Sequence, residues 1–315
     1  MMPPGPRGEH LTLLAFFGII VCGGSNAVAI RLGNVELAPF WAASLRFGLA
    51  ALILLAIMLI GRTPLPRGRA RLGVVLYGLT AFAGSYAGAY WGLVEAPAAT
   101  AMVVIATVPL MTLLIAVAIG QEGLTGRGLA GAVVALVGIV ILVGDQIGAA
   151  VPLTSLAALF GGACFIAVSG VLVKQVPPGH PVAANALGML IGALCLGALS
   201  AVAGEPRSIP AELPTWASLI YLVLVGSVGL FMLVLYVLAR WSASATSYAT
   251  LVMPLVTISG AALLLGETVE PLFLVGSAFV LAGVYIGISA DRPGFLGRRA
   301  PVPVPPSQDA RSPGC

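Results

Sequence analysis

Arg46 is the one formal charge set deep in an apolar stretch of this 315-residue chain, about two helical turns into the segment 38–60. A guanidinium cannot shed its charge, so at that depth it must find acceptors. Two readings follow. Either Arg46 snorkels or caps carbonyl groups near the start of its helix, or it attracts the carboxylate or phosphate of a solute. Without a second deep basic residue, a strongly polyanionic solute is disfavoured. Other polar groups at depth are few. Asn26, beside Ser25, sits midway along 11–30 and needs partners for both ends of its amide, from a neighbouring helix or from a wet cavity. Asn185 poses the same choice nearer the end of 182–203. Tyr86 and Tyr90, four residues apart with Trp91 adjacent, can stack on and hydrogen-bond an amphipathic solute, although interfacial anchoring also suits Tyr90 and Trp91. Thr246, Ser247, Tyr248 and Thr250 form the densest polar cluster inside any apolar stretch. The cavity candidates are therefore Asn26, Tyr86, Tyr90, Ser247, Tyr248 and Thr250, with Arg46 for anion recognition.

Covalent chemistry has no equivalent constellation. No Asp, Glu or His lies deep in an apolar stretch, and His10 and His180 flank the stretches. Neither paired carboxylates nor a Ser/His pair is available, so no enzyme activity, metal or cofactor is expected. Glu122 and Glu267 fall at the ends of the stretches 98–119 and 245–265. A carboxylate is disfavoured at a helix C-terminus, so each is expected to pair with a donor or to cap the start of another helix. Pro109 and Pro254 stand inside those same stretches. Each removes one backbone donor and frees a carbonyl, at Ile105 and Thr250, which predicts kinks that serve as hinges or site walls. Cys22, Cys164 and Cys195 read as small apolar fillers, and Cys315 is terminal.

The elements that must position these residues follow from composition. Mean hydropathy is +1.08, hydrophobic residues make up 59% and charged residues 8%. Ten stretches can each span a bilayer as a helix: 11–30, 38–60, 72–94, 98–119, 128–144, 153–173, 182–203, 216–239, 245–265 and 271–290. The alternation of an outer-membrane barrel is absent, so the fold class is an all-α polytopic membrane protein. Residues 98–142 match 243–287 without a gap at an offset of 145, placing Pro109 on Pro254, Thr112 on Thr257, Glu122 on Glu267 and Gly138 on Gly283. Phe17, Gly18 and Arg31 correspond to Phe160, Gly161 and Lys174, and Pro39 to Pro181. The chain is thus expected to contain a cytoplasmic segment 1–10, a first five-helix repeat 11–144, a second repeat 153–290 and a disordered cytoplasmic tail 291–315. The tail expectation rests on Pro301, Pro303, Pro305 and Pro306 among charges.

Loop charges set the orientation. With the N-terminus inside, twelve of the fifteen basic residues (Arg7, Arg62, Arg67, Arg69, Arg71, Arg127, Lys174, Arg240, Arg292, Arg298, Arg299 and Arg311) are cytoplasmic. Both termini are then cytoplasmic. A unit with five crossings sends its second copy in from the opposite face, so the repeats are inverted. The same rule explains a sequence pI near 9.1 without invoking nucleic acid. The expected partners are a small-molecule solute and the lipid bilayer, with a homo-oligomer left open.

Gly24, Ser25 and Asn26 through Arg31, then Leu45, Arg46 and Phe47, and the stretch from Ser247 through Pro254 to Gly266 and Glu267, resemble the EamA family of the drug/metabolite transporter superfamily. The resemblance covers both halves. It implies a ten-helix inverted-repeat fold in a prokaryotic inner membrane and export of amino acids or related small metabolites. By the resemblance, Glu122 and Glu267 match the acid closing the fourth and ninth helices, and Arg46 the second-helix arginine. Gln121 and Gly123 replace the more usual Gly and Arg around that acid. The expected activity is secondary transport by alternating access at a midplane cavity lined by the first, third, fourth, sixth, eighth and ninth helices. The competing readings are a non-transporting membrane scaffold and an intramembrane enzyme.

Overall fold

The computed structural model describes residues 6–96, 101, 104–123, 125–143, 152–265 and 271–290. Glu267 and the tail 291–315 lie outside the described residues. The helices are α1 (Pro6–Gly33), α2 (Pro39–Ile60), α3 (Arg69–Glu95), α4 (Val108–Ala118), α5 (Gly126–Val143), α6 (Leu153–Gln175), α7 (Pro181–Val202), α8 (Leu213–Leu238), α9 (Ala243–Ser247), α10 (Ala249–Leu265) and α11 (Pro271–Ala290). No strand occurs among the described residues. A helix satisfies its own backbone hydrogen bonds, which is what an apolar environment demands of a spanning segment. Among the described residues, six helical stretches are long and apolar enough to cross a membrane, in α1, α2, α3, α6, α7 and α8. Val108–Ala118, Gly126–Ile141 and Ala278–Gly287 are shorter apolar helices.

Prolines open several helices, since the first turn has no use for the donor they lack: Pro39 in α2, Pro181 in α7 and Pro109 in α4. The last departs from the sequence expectation. Pro109 does not bend a continuous helix but starts one, after a turn at Ala106 and Thr107. Pro254 does lie inside α10, while the break in that region falls earlier, at Tyr248 between α9 and α10.

Carboxylates at helix ends satisfy the starts of other helices, where unpaired N–H groups and the dipole favour negative charge. Glu205 accepts from Phe40 N (3.1 Å) and Trp41 N (2.9 Å) at the start of α2. Glu36 accepts from Ala211 N (2.5 Å) and Glu212 N (3.4 Å) just before α8. Glu122 accepts from Ser244 N (3.2 Å) at the start of α9, and Glu95 from the Ser155 hydroxyl (2.9 Å) in the first turn of α6.

The principal helix pairs are α2 with α7, α3 with α6, α3 with α7, α1 with α8, α1 with α10, α4 with α6, and α5 with α11. Lipid offers no hydrophobic drive for helices to associate, so small residues that let backbones approach carry much of the packing. The Gly84, Gly88 and Gly92 stripe of α3 lies against α6, where a Cβ at Gly88 would stand 2.4 Å from Ala158 O. Gly131 of α5 and Gly283 of α11 meet in the same way, the Cβ of either falling within 2.6 Å of the other's helix backbone.

Candidate functional site

A cavity of about 260 Å³ runs among α1, α3, α4, α6, α8, α9 and α10. Asn26, Tyr86, Ser247 and Thr250 contribute to its wall, as do Thr112, Ser169 and Thr246 beside many aliphatic groups. Most of the hydroxyl protons are already committed. Thr112 donates to Val108 O (2.8 Å), Thr246 to Ser242 O (2.8 Å), Ser247 to Ser244 O (2.7 Å) and Thr250 to Ser247 O (2.8 Å). A hydroxyl has one proton and two lone pairs, so these four groups can accept from a solute but have no proton to spare. The wall is apolar and acceptor-rich.

Tyr90 and Tyr248 are placed elsewhere. Tyr90 is buried where α3 meets α1, α2 and α8, beside a minor hollow shared with Ile30, Asn34, Ala42 and Ser218. Tyr248 is 3% exposed and donates to Gly128 O (2.8 Å) on α5. Its ring fills the space over Gly287 of α11, where a Cβ would lie 2.1 Å from Cζ. This tyrosine ties α10 to α5 and α11 rather than facing the cavity, because the break at residue 248 turns it away from Ser247 and Thr250. Asn185 takes partners from neighbouring helices: Tyr77 donates to its Oδ1 (3.0 Å), and its amide nitrogen reaches Met232 Sδ (3.4 Å).

Arg46 neither snorkels nor lines the cavity. It is fully buried, with Nε donating to the Ser227 hydroxyl (2.8 Å) and NH2 to Gly226 O (2.6 Å). Its guanidinium lies 5.0 Å from the Phe47 ring and 5.1 Å from the Tyr86 ring, within cation-π range. Asn26 Nδ2 donates to the same Gly226 carbonyl (3.3 Å). That carbonyl is offered by a π-helical segment, Leu224–Gly229, within α8. One extra residue in a helical turn spoils the usual bonding ladder and exposes backbone acceptors, which is why π segments recur at functional sites. A second π segment, Gly78–Gly84, occupies the matching place in α3.

Gly226 and Ser227 were not singled out from sequence. The available signal was the Gly-Ser-Val-Gly run at 226–229, which interrupts an otherwise aliphatic stretch. Ser25, singled out with Asn26, shares a hydrogen bond with the Tyr221 hydroxyl, and Ser218 donates to Ala29 O (2.5 Å), so α1 is stitched to α8 at several levels.

Apolar helices of spanning length, small-residue packing and a polar-spotted cavity define a polytopic membrane protein with an internal cavity. The family model described as "EamA-like transporter family" matches this chain twice, at residues 10–144 and 153–288. The chain belongs to the EamA-like transporter family and is a membrane transporter. An Escherichia coli (strain K12) protein named "Uncharacterized inner membrane transporter YedA" is 30% identical over 95% of this chain and 96% of its own length. A Salmonella typhimurium "Probable amino-acid metabolite efflux pump" is 27% identical over 87% of this chain and 93% of the relative. A Streptantibioticus cattleyicolor "Probable terminal-alkyne amino-acid exporter" is 29% identical over 70% of this chain and 74% of the relative. A solved crystal structure superposes with a TM-score of 0.75 over 90% of this chain and 98% of its own; at 19% identity it speaks for the fold alone.

Proposed function

We propose that this protein is a secondary transporter that exports small amphipathic metabolites such as amino acids, by alternating access at the central cavity. The observation that carries the reading is the cavity itself: about 260 Å³, mostly apolar, with polar groups from several helices converging on it. A passive scaffold would gain from filling such a space, since interiors close-pack where nothing else is required. Relatives named as an amino-acid metabolite efflux pump and an amino-acid exporter support the solute class.

The proposed arrangement is ten spans in two inverted five-helix halves, in a prokaryotic inner membrane, with both termini cytoplasmic. Counting α9 and α10 as the ninth span and α11 as the tenth, exchange of halves maps α2 with α7 onto itself, and likewise α5 with α11. It maps α3 with α6 onto α8 with α1, and α4 with α6 onto α10 with α1. All are principal contacts, as an internal two-fold relation requires. The loop charges support the orientation, and a relative named as an inner membrane transporter supports the location.

Purified protein in liposomes, assayed by counterflow of a radiolabelled amino-acid panel with and without an imposed pH gradient, tests this. Saturable flux of at least one amphipathic amino acid over empty liposomes is expected. Failure of every amino acid to move would refute the proposed solute class.

A further inference from the structure

We infer that Arg46 and Asn26, gathered at the Gly226 carbonyl by the π segment of α8, form a subsite for the carboxylate and ammonium ends of a zwitterionic solute, which Tyr86 uncovers when it turns. This rests on the transport reading above. Its first support is an incomplete set of partners. A guanidinium has five N–H donors, and Arg46 uses two groups, Nε and NH2, on neutral acceptors. Among the described residues NH1 is buried with no hydrogen bond of standard geometry, although the Tyr90 hydroxyl stands beside the guanidinium, and no carboxylate pairs with Arg46. Across the same carbonyl, Asn26 is 6% exposed, and its Oδ1 is buried without a partner. Buried polar groups that serve only structure are ordinarily satisfied, because an orphaned donor or acceptor forfeits its hydration for nothing. Here one donor and one acceptor stand open on two side chains that share the Gly226 carbonyl. A Cβ built on Gly226 would lie 2.1 Å from Asn26 Oδ1 and 3.2 Å from Arg46 NH2, so the amide and the guanidinium converge on the same point of α8.

The second support is asymmetry. At the offset of 142 that aligns Pro39 with Pro181, Arg46 falls on Gly188. Gly188 faces the π segment of α3, where a Cβ would touch Phe82 (3.1 Å) and Tyr77 (3.2 Å). The equivalent joint therefore closes with glycine and aromatic rings and no charge. The fold does not require a cation there, so the cost of burying one in α2 is offset by something other than the joint.

The third support is position. Asn26 and Tyr86 are cavity wall, and the Tyr86 ring lies 5.1 Å from Arg46 Cζ. Turning that ring opens the cavity to the guanidinium. A carboxylate arriving there takes NH1 in a charge-assisted bond, and an α-ammonium donates to Asn26 Oδ1. The aliphatic remainder stays against the apolar wall. Gly226 O and Ser227 hold the guanidinium in place before the solute arrives.

The test uses full-length protein with L-leucine, L-leucinamide and 4-methylpentanoate, read by thermal stabilisation in detergent and by flux in liposomes. Charge-assisted bonds of this kind are worth about tenfold or more in affinity. In the unmodified protein, leucine is expected to bind at least about tenfold more tightly than leucinamide. Arg46→Gln should abolish that preference while leaving leucinamide affinity within about twofold, and Arg46→Lys should restore part of it. Asn26→Ala should weaken leucine but not 4-methylpentanoate, a readout that survives if Arg46→Gln fails to fold. Equal loss for all three solutes, an unchanged leucine preference in the variants, or no binding of any probe would overturn the subsite. Carboxylate-selective binding without flux would leave the subsite standing and remove the transport reading.

Discussion

Replacing Gly226 by alanine tests whether the π segment of α8 is held by the polar groups that converge on it. The added methyl would sit 2.1 Å from Asn26 Oδ1, 3.0 Å from Asn26 Cγ and 3.2 Å from Arg46 NH2. Ordinary contact is about 3.5 Å or more, so the Asn26 side chain must retreat by more than an ångström and give up its bond to Gly226 O. Overpacking costs about 1–3 kcal/mol, and the lost hydrogen bond about another 1 kcal/mol. The total, about 2–4 kcal/mol, should lower the melting temperature of the purified protein by about 3–6 °C. Gly161→Ala is the matched control. Its Cβ would meet nothing within 4 Å inside α6, and alanine there should be neutral or stabilising by about 0.5–1 kcal/mol, since glycine is the poorer helix former. The assay is a thermal melt in detergent, with liposome flux on the same preparations. If Gly226→Ala melts with the parent and transports normally, the contacts around that carbonyl are not what holds the segment.

Three further outcomes follow from the geometry. Tyr248→Phe removes the bond to Gly128 O and should cost about 1 kcal/mol of stability while leaving solute affinity unchanged, as thermal melts and flux titrations would show. Thr250→Val keeps the volume but removes a cavity acceptor, and should weaken a donor-bearing solute by about two- to tenfold in competition assays. The Ala211 backbone N–H, aided by Thr215 and Glu212, holds the Glu36 carboxyl below its ordinary value of 4.5. A depressed carboxyl pKa stabilises the fold above that ordinary value and loses the contribution as pH falls through the lowered one. Glu36→Gln should therefore flatten the loss of melting temperature as pH falls below 4.5, and an unchanged slope would remove Glu36 from the acid response.

Hydropathy made much of the helical architecture legible, because a span in lipid must satisfy its own backbone, and that requirement is written locally in runs of apolar residues. The spacing of Gly84, Gly88 and Gly92 in α3 carries its meaning locally for the same reason: close approach needs small residues at helical spacing, whichever helix receives them. Glu122 was recognisable as a pairing or capping group, although not which helix it would cap: it reaches α9. Glu205, which reaches α2 from the far side of the sequence, was not singled out. Pro109 was expected to kink a continuous span and instead opens α4, since a proline inside an apolar run reads as a kink when the preceding turn carries no signal of its own.

Residue types alone establish that this chain lies in a membrane as helices, that it is built from a doubled unit, and that Arg46 and Asn26 are polar groups needing partners at depth. Which partners they find emerges from the packing of distant helices. Gly226 and Ser227 stand 180 and 181 residues beyond Arg46, and nothing local to Arg46 encodes a carbonyl freed by a π turn on another helix. Likewise, Ser247 and Thr250 face the cavity while Tyr248 between them faces α5 and α11. A break in a helix rotates side chains in a way that composition does not record, whereas the demand to bury apolar surface and pair every polar group is already present in the residue types.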